Sequence, residues 1–162
     1  MIVVSDTSPI SNLIIIGRLD ILRSVFSEVL LPPSVDAEVR ALIQFGFELN
    51  TYTNANWIKV IEPTDSEKVA SLRISLDDGE AEAIALALEV DCDLLLMDER
   101  IGTAIARQEG LQTVGLIGVL IKAKEMRVVD RVSDILNELR DQAGFWIDKD
   151  LEKRIRITLN ED

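Results

Sequence analysis

Residues 1–10 read MIVVSDTSPI, and the fold turns on how they are understood. The apolar run Ile2-Val3-Val4 has the β-branched composition of a buried strand, yet it ends in Ser5-Asp6-Thr7-Ser8. A carboxylate in such a place is costly if dry and unpaired, so Asp6 needs water, a hydrogen-bond donor or a cation. A second apolar run, DLLLMD at residues 93–98, closes on an acid in the same way, at Asp98.

Outward from these two runs, short β-rich stretches alternate with longer stretches of helical period. The pattern predicts Ile2 to Ser5 as strand, Ile10 to Ser24 as helix, Val29 to Leu31 as strand and Ser34 to Gln44 as helix. It continues with strand Trp57 to Ile61, helices Asp65 to Arg73 and Glu80 to Val90, and strand Asp93 to Met97. Helix Glu99 to Glu109, a short strand at Thr113-Val114 and helices from Ile117 onward complete it. Such alternation predicts an α/β fold, a central and mainly parallel sheet flanked by helices on both faces. Punctuation agrees: Thr64 to Glu67 and Asp77 to Glu80 have capping-box spacing, Pro32-Pro33 ends a strand and lets a helix begin, and Gly110 stands at a helix stop.

The 162 residues contain no repeat, low-complexity tract or flexible linker, so the expectation is a single domain spanning 1–162, with residues 144–162 as a C-terminal docking segment. At 48% hydrophobic residues and a mean hydropathy of +0.19, the chain can build a core, and its longest apolar runs are too short to span a bilayer. No basic region followed by a long apolar stretch precedes Ser5, and the single Cys92 fits a reducing compartment. The expected location is therefore cytoplasmic, away from any membrane.

Histidine is absent, which excludes Cys/His and Ser/His chemistry and leaves carboxylates, hydroxyls, Lys, Tyr and any metal that carboxylates can hold. No GxxxxGK[ST] or GxGxxG phosphate cradle occurs. The net charge of −12 argues against a broad basic surface, although eleven of the seventeen cations lie from Arg100 onward.

Asp6 and Asp98 stand at strand ends, and in open α/β sheets ligands bind beyond the carboxyl ends of strands where the strand order reverses. The two acids meet there if their strands are neighbours. Each also has a local reading: Asp98 as an N-cap, Asp6 in an Asx turn with Ser8. Glu80 shares a helix face with Ala83, Ile84, Ala87 and Leu88, which places it at the inward lip of its helix; Glu82 falls on a side expected to be wet. Glu80 also reads as the fourth member of a capping box, and Glu38 as an acid near a buried stripe or paired to Arg40. Several carboxylates converging without a cationic side chain would repel one another strongly, and oxygen-only ligation of Mg²⁺ or Mn²⁺ resolves that repulsion.

Four stretches, SDTSPISNL, DDGEAEAIALALE, DLLLMDER and GFWIDKDL, in this order and spacing, resemble the PIN domain (PilT N-terminus), and more narrowly an uncharacterised prokaryotic branch of that superfamily, which also includes the VapC-type toxins. The resemblance runs nearly end to end. It implies a metal-dependent ribonuclease that hydrolyses RNA phosphodiester bonds, with Asp6, Glu38, Glu80 and Asp98 as the catalytic acids. Asp6, Glu80 and Asp98 would be the metal ligands for Mg²⁺ or Mn²⁺, and the Ser8 hydroxyl would position the metal shell or phosphate. Glu80 stands where toxin relatives more often carry Asp; Glu82 and Glu99 are auxiliary candidates. The resemblance further implies RNA as substrate, a homodimer, and a small antitoxin protein as the partner of a toxin–antitoxin pair. The alternative is a PIN-fold binding module acting through protein contacts, with Gly144-Phe-Trp-Ile147 either docking the last helix on the core or facing a partner. A dehalogenase-type phosphatase is disfavoured because its second Asp is replaced by Ser8.

Overall fold

The computed structural model describes residues 1–161. The chain runs β1 (Val3–Ser5), α1 (Thr7–Ile15), α2 (Asp20–Phe26), β2 (Val29–Leu31), α3 (Pro33–Arg40), a 3₁₀ turn (Ala41–Phe45), α4 (Asn50–Thr53), β3 (Ile58–Val60), α5 (Ser66–Leu72) and α6 (Asp78–Glu89). It continues through β4 (Leu94–Leu96), α7 (Arg100–Gln108), β5 (Thr113–Val114), α8 (Leu116–Glu125), α9 (Val132–Ala143) and α10 (Lys149–Thr158). The five strands form one all-parallel sheet in the order β3-β2-β1-β4-β5.

Parallel strands covered on both faces need buried side chains on both, and β1, β2 and β4 comply, whereas the edge strand β3 leaves Lys59 and Val60 exposed. Val3, Leu94 and Leu96 point into a core shared with α1, α2, α8 and α9, whereas Val4 and Leu95 point into a second core built by α5, α6 and Ala106 of α7. The chain winds from β1 outward to β2 and β3, then returns to β4 on the other side of β1. The strand order therefore reverses between β1 and β4, whose residues pair Val3 with Leu94 and Ser5 with Leu96. The ladder is carried one residue further by the Asp6 N–H, which donates to the Leu96 carbonyl at 2.9 Å.

Several sequence expectations need correction. The helix predicted from Ile10 to Ser24 is two helices. Gly17, at φ 71°, terminates the first, with its N–H donating to Ile14 and the Arg18 N–H to Leu13, the paired bonds of a Schellman stop. The stretch Ser34 to Gln44 is an α-helix only to Arg40 and then tightens to 3₁₀, and α4 has no counterpart in the pattern. The capping box predicted at Thr64 is displaced: Asp65 caps α5 by accepting from Lys68, while Thr64 donates to Glu89. The box at Asp77 to Glu80 is present.

At the other end of the chain, Phe145, Ile147, Ile155 and Leu159 pack on the first core. Glu161 is buried and caps α9, its carboxylate accepting from the Val132 and Ser133 N–H groups at 3.0 and 2.7 Å and from Lys124 Nζ. Among the described residues no helix is long and apolar enough to cross a membrane.

Candidate acidic active site

Asp6 leaves β1 and is the N-cap residue of α1; it is 6% exposed. Asp98 follows β4, and its Oδ1 accepts from the Leu116 N–H, the first residue of α8, at 3.0 Å. Neither local reading from the sequence holds. Asp6 makes no side-chain cap bond, and the cap of α7 is Glu99, which accepts from the Ile101 and Gly102 N–H groups. Glu38 comes from α3 and accepts a hydrogen bond from the Thr7 hydroxyl; Arg40 pairs with Asp36 instead. Glu80, in the first turn of α6, completes its capping box through a long 3.4 Å contact from the Asp77 N–H.

These four acids, from four separate elements, line one crevice of about 530 Å³ at the carboxyl ends of β1 and β4. Asp77, Glu99, Thr7, Ser8, Asn12 and Trp146 share its walls, and its lining contains neither Lys nor Arg. Ser8 lies beside the acids in this lining. Glu99, an auxiliary candidate, is at the site, and Asp77 is a further acid that the sequence shows only as a helix cap. Glu82 is a correction in two respects: it is 8% exposed, not wet, and it stands apart from the crevice, accepting from the Ser34 hydroxyl with Arg73 3.7 Å away. The outer side of α6 is covered by α3 and α5, so the helix is buried almost all round.

Two glycines leave room for these carboxylates. A Cβ on Gly115 would stand 2.5 Å from Asp98 Oδ1, and one on Gly79 would stand 3.0 Å from both oxygens of Glu38. Side chains at either position would displace an acid from the crevice wall.

The electrostatics follow from burial and like charge. Burial pushes Asp6 up to about 7, with Asp77, Glu38 and Glu99 adding to the effect against one backbone N–H. Burial likewise raises Glu80 to about 7, reinforced by Asp77, Asp6 and Glu99. Glu38 and Asp98 are raised by burial too, and partly relieved by Thr7 and by the Leu116 N–H respectively. The donor set is all oxygen, negatively charged and without a cationic side chain, so its chemistry suits a hard divalent cation. As the side chains stand, no group of three or more potential ligands among the described residues is arranged to hold an ion. Glu38, Glu80 and Asp98 are each engaged by a hydrogen bond from Thr7, Asp77 and Leu116.

An open parallel sheet with an acid-lined crevice at its switch point defines the class: an α/β protein with a carboxylate site. The chain belongs to the PIN domain family, whose model matches residues 2–161. PIN domains are in general nucleases that act on RNA and use divalent metal ions. In structure the chain is similar to a PilT N-terminus domain protein from the hyperthermophilic archaeon Sulfolobus solfataricus. The match has a TM-score of 0.53 and 19% identity, over 76% of this chain and 93% of that one. At that identity the similarity concerns the fold. No curated protein matches the sequence.

Proposed function

We propose that this protein is a Mg²⁺- or Mn²⁺-dependent endoribonuclease whose centre is the crevice of Asp6, Glu38, Glu80 and Asp98. The observation that carries the reading is the convergence of acids from residues 6, 38, 80 and 98 on one crevice with no basic side chain in its lining. Asp6, Glu80 and Asp98 would hold the ion, which supplies Lewis acidity toward a phosphate oxygen and a more acidic bound water. Glu38, fixed by the Thr7 hydroxyl, adds a carboxylate able to accept a proton from a water at the scissile phosphate. Ser8, in the first turn of α1, presents a hydroxyl to the same crevice for a phosphate oxygen. Leu116 and the space above Gly115 keep Asp98 in place.

On this reading the protein works in the cytoplasm, as a homodimer. A small antitoxin protein would silence it by placing a basic side chain among the acids. A second reading, a binding module with weak or no catalysis, draws on the engagement of Glu80 in its capping box and on the exposure of Trp146. Incubation of the purified protein with total RNA, with and without Mn²⁺, separates the two. The nuclease reading expects Mn²⁺-dependent cleavage with defined cut ends, abolished in Asp98→Asn. The binding-module reading expects intact RNA in every lane.

A further inference from the structure

The acidic crevice has no side chain with which to attract a polyanion, and the chain as a whole carries −12. A second and larger cavity, about 880 Å³, lies against the same loop and is lined by Arg140, Lys149, Lys153 and Arg156 together with three acids. Glu152 takes both arginines, Arg140 at 2.5 Å and Arg156 at 2.9 Å. Lys149 and Lys153 make no ion pair among the described residues. Two residues line both cavities, Phe145 and Trp146. Phe145 and Ile147 turn inward onto the first core, and between them Trp146 is projected 81% exposed. So large an apolar ring is seldom left this bare, and here it forms the rim between the acids and the lysines.

We propose that Trp146 is a positioning residue: a stacking platform for a base of single-stranded RNA, which it holds across the rim while Lys149 and Lys153 take the phosphates leading away from the acids. The inference deepens the ribonuclease reading and rests on it. An exposed indole face accepts any unpaired base, with neighbouring cations tracking the backbone. A duplex keeps its bases stacked on one another and cannot offer one to the ring.

The protein's two tryptophans make the test direct, because Trp57 is 9% exposed and Trp146 is bare. A single-stranded RNA 12-mer is titrated into wild type, Trp146→Phe and Trp146→Ala in EDTA, following tryptophan emission and oligonucleotide anisotropy. KM and kcat for the same RNA are then measured with Mn²⁺. The expected result is quenching of the exposed tryptophan by single-stranded but not duplex RNA. In Trp146→Ala, affinity should fall and KM rise by about tenfold or more, with kcat nearly unchanged. Trp146→Phe should retain most of the binding. Unchanged buried emission from Trp57 shows that the variants fold. Wild-type cleavage with an unaltered KM in Trp146→Ala, or RNA binding that leaves Trp146 emission untouched, overturns the platform and spares the nuclease. Absence of cleavage by the wild type overturns both. A concentration-dependent burial of Trp146 without RNA, lost together with dimerisation in Trp146→Ala, overturns the platform in favour of an interface between two copies.

Discussion

Asp6, 6% exposed and beside Asp77, Glu38 and Glu99, carries a carboxyl that burial and these charges push from an ordinary 3.8 up to about 7. A raised carboxyl binds its proton more tightly in the fold than in the unfolded chain. Its contribution to stability is therefore complete below about pH 3.8 and is lost as the pH rises through about 7. Without metal, Asp6→Asn should stabilise the protein by about 1–3 kcal/mol at pH 8 and hardly at all at pH 4, as measured by urea denaturation in EDTA. Equal effects at the two pH values would show that Asp6 is not held ionised against the fold. At this scale the strand-end acids were legible, because an apolar run closed by Asp signals its own cost. Asp77 was not, since its capping box with Glu80 accounts for it locally and only the fold brings it against Asp6. The wet face expected for Glu82 follows from helical period alone, whereas Ser34 and Arg73, which stand against that face, belong to other elements, α3 and the end of α5.

Helices and strands were read from period and punctuation, and the errors lie where neither speaks. Strands Val29–Leu31 and Thr113–Val114 coincide with their apolar runs. The break after Ile16 escapes the period because the apolar stripe continues across it on α2, and Gly17 alone marks the stop. The end of the chain holds a device with no periodic signal: Glu161 ties α8, through Lys124, to the start of α9. Burial opposes its charge, but Lys124, the Ser133 hydroxyl and two backbone N–H groups outweigh it and hold the carboxyl down to about 2, from an ordinary 4.5. A lowered carboxyl contributes stability above about pH 4.5 that is lost as the pH falls through about 2. Glu161→Ala should cost about 2–4 kcal/mol at pH 7, because it strands two helix N–H groups and a half-buried ammonium. Chemical denaturation measures this, and a loss below about 0.5 kcal/mol would deny the latch its role.

Across the whole molecule the sheet order determines what the site can be. With β1 central and β4 beside it, Asp6 and Asp98 reach the same crevice, while α3 and α6, packed against each other, bring Glu38 and Glu80 to it. The architecture was legible from the alternation of elements; the adjacency of β1 and β4 was a condition the sequence posed and could not answer. Charge is partitioned on the same plan: an acid-only crevice under the switch point, and beside it the C-terminal groove where four of the chain's later cations gather. A polyanion meets such a molecule first where its lysines reach the backbone, and enters the acidic crevice once a cation neutralises the acids. The most direct measurement is anomalous diffraction from crystals soaked in Mn²⁺ at neutral pH. The account predicts a manganese peak in the crevice with carboxylate oxygens of Asp6 and Asp98 about 2.1 Å away and Glu80 turned toward it. Saturating manganese that leaves the crevice empty, with the acids still held by Thr7, Asp77 and Leu116, would contradict it.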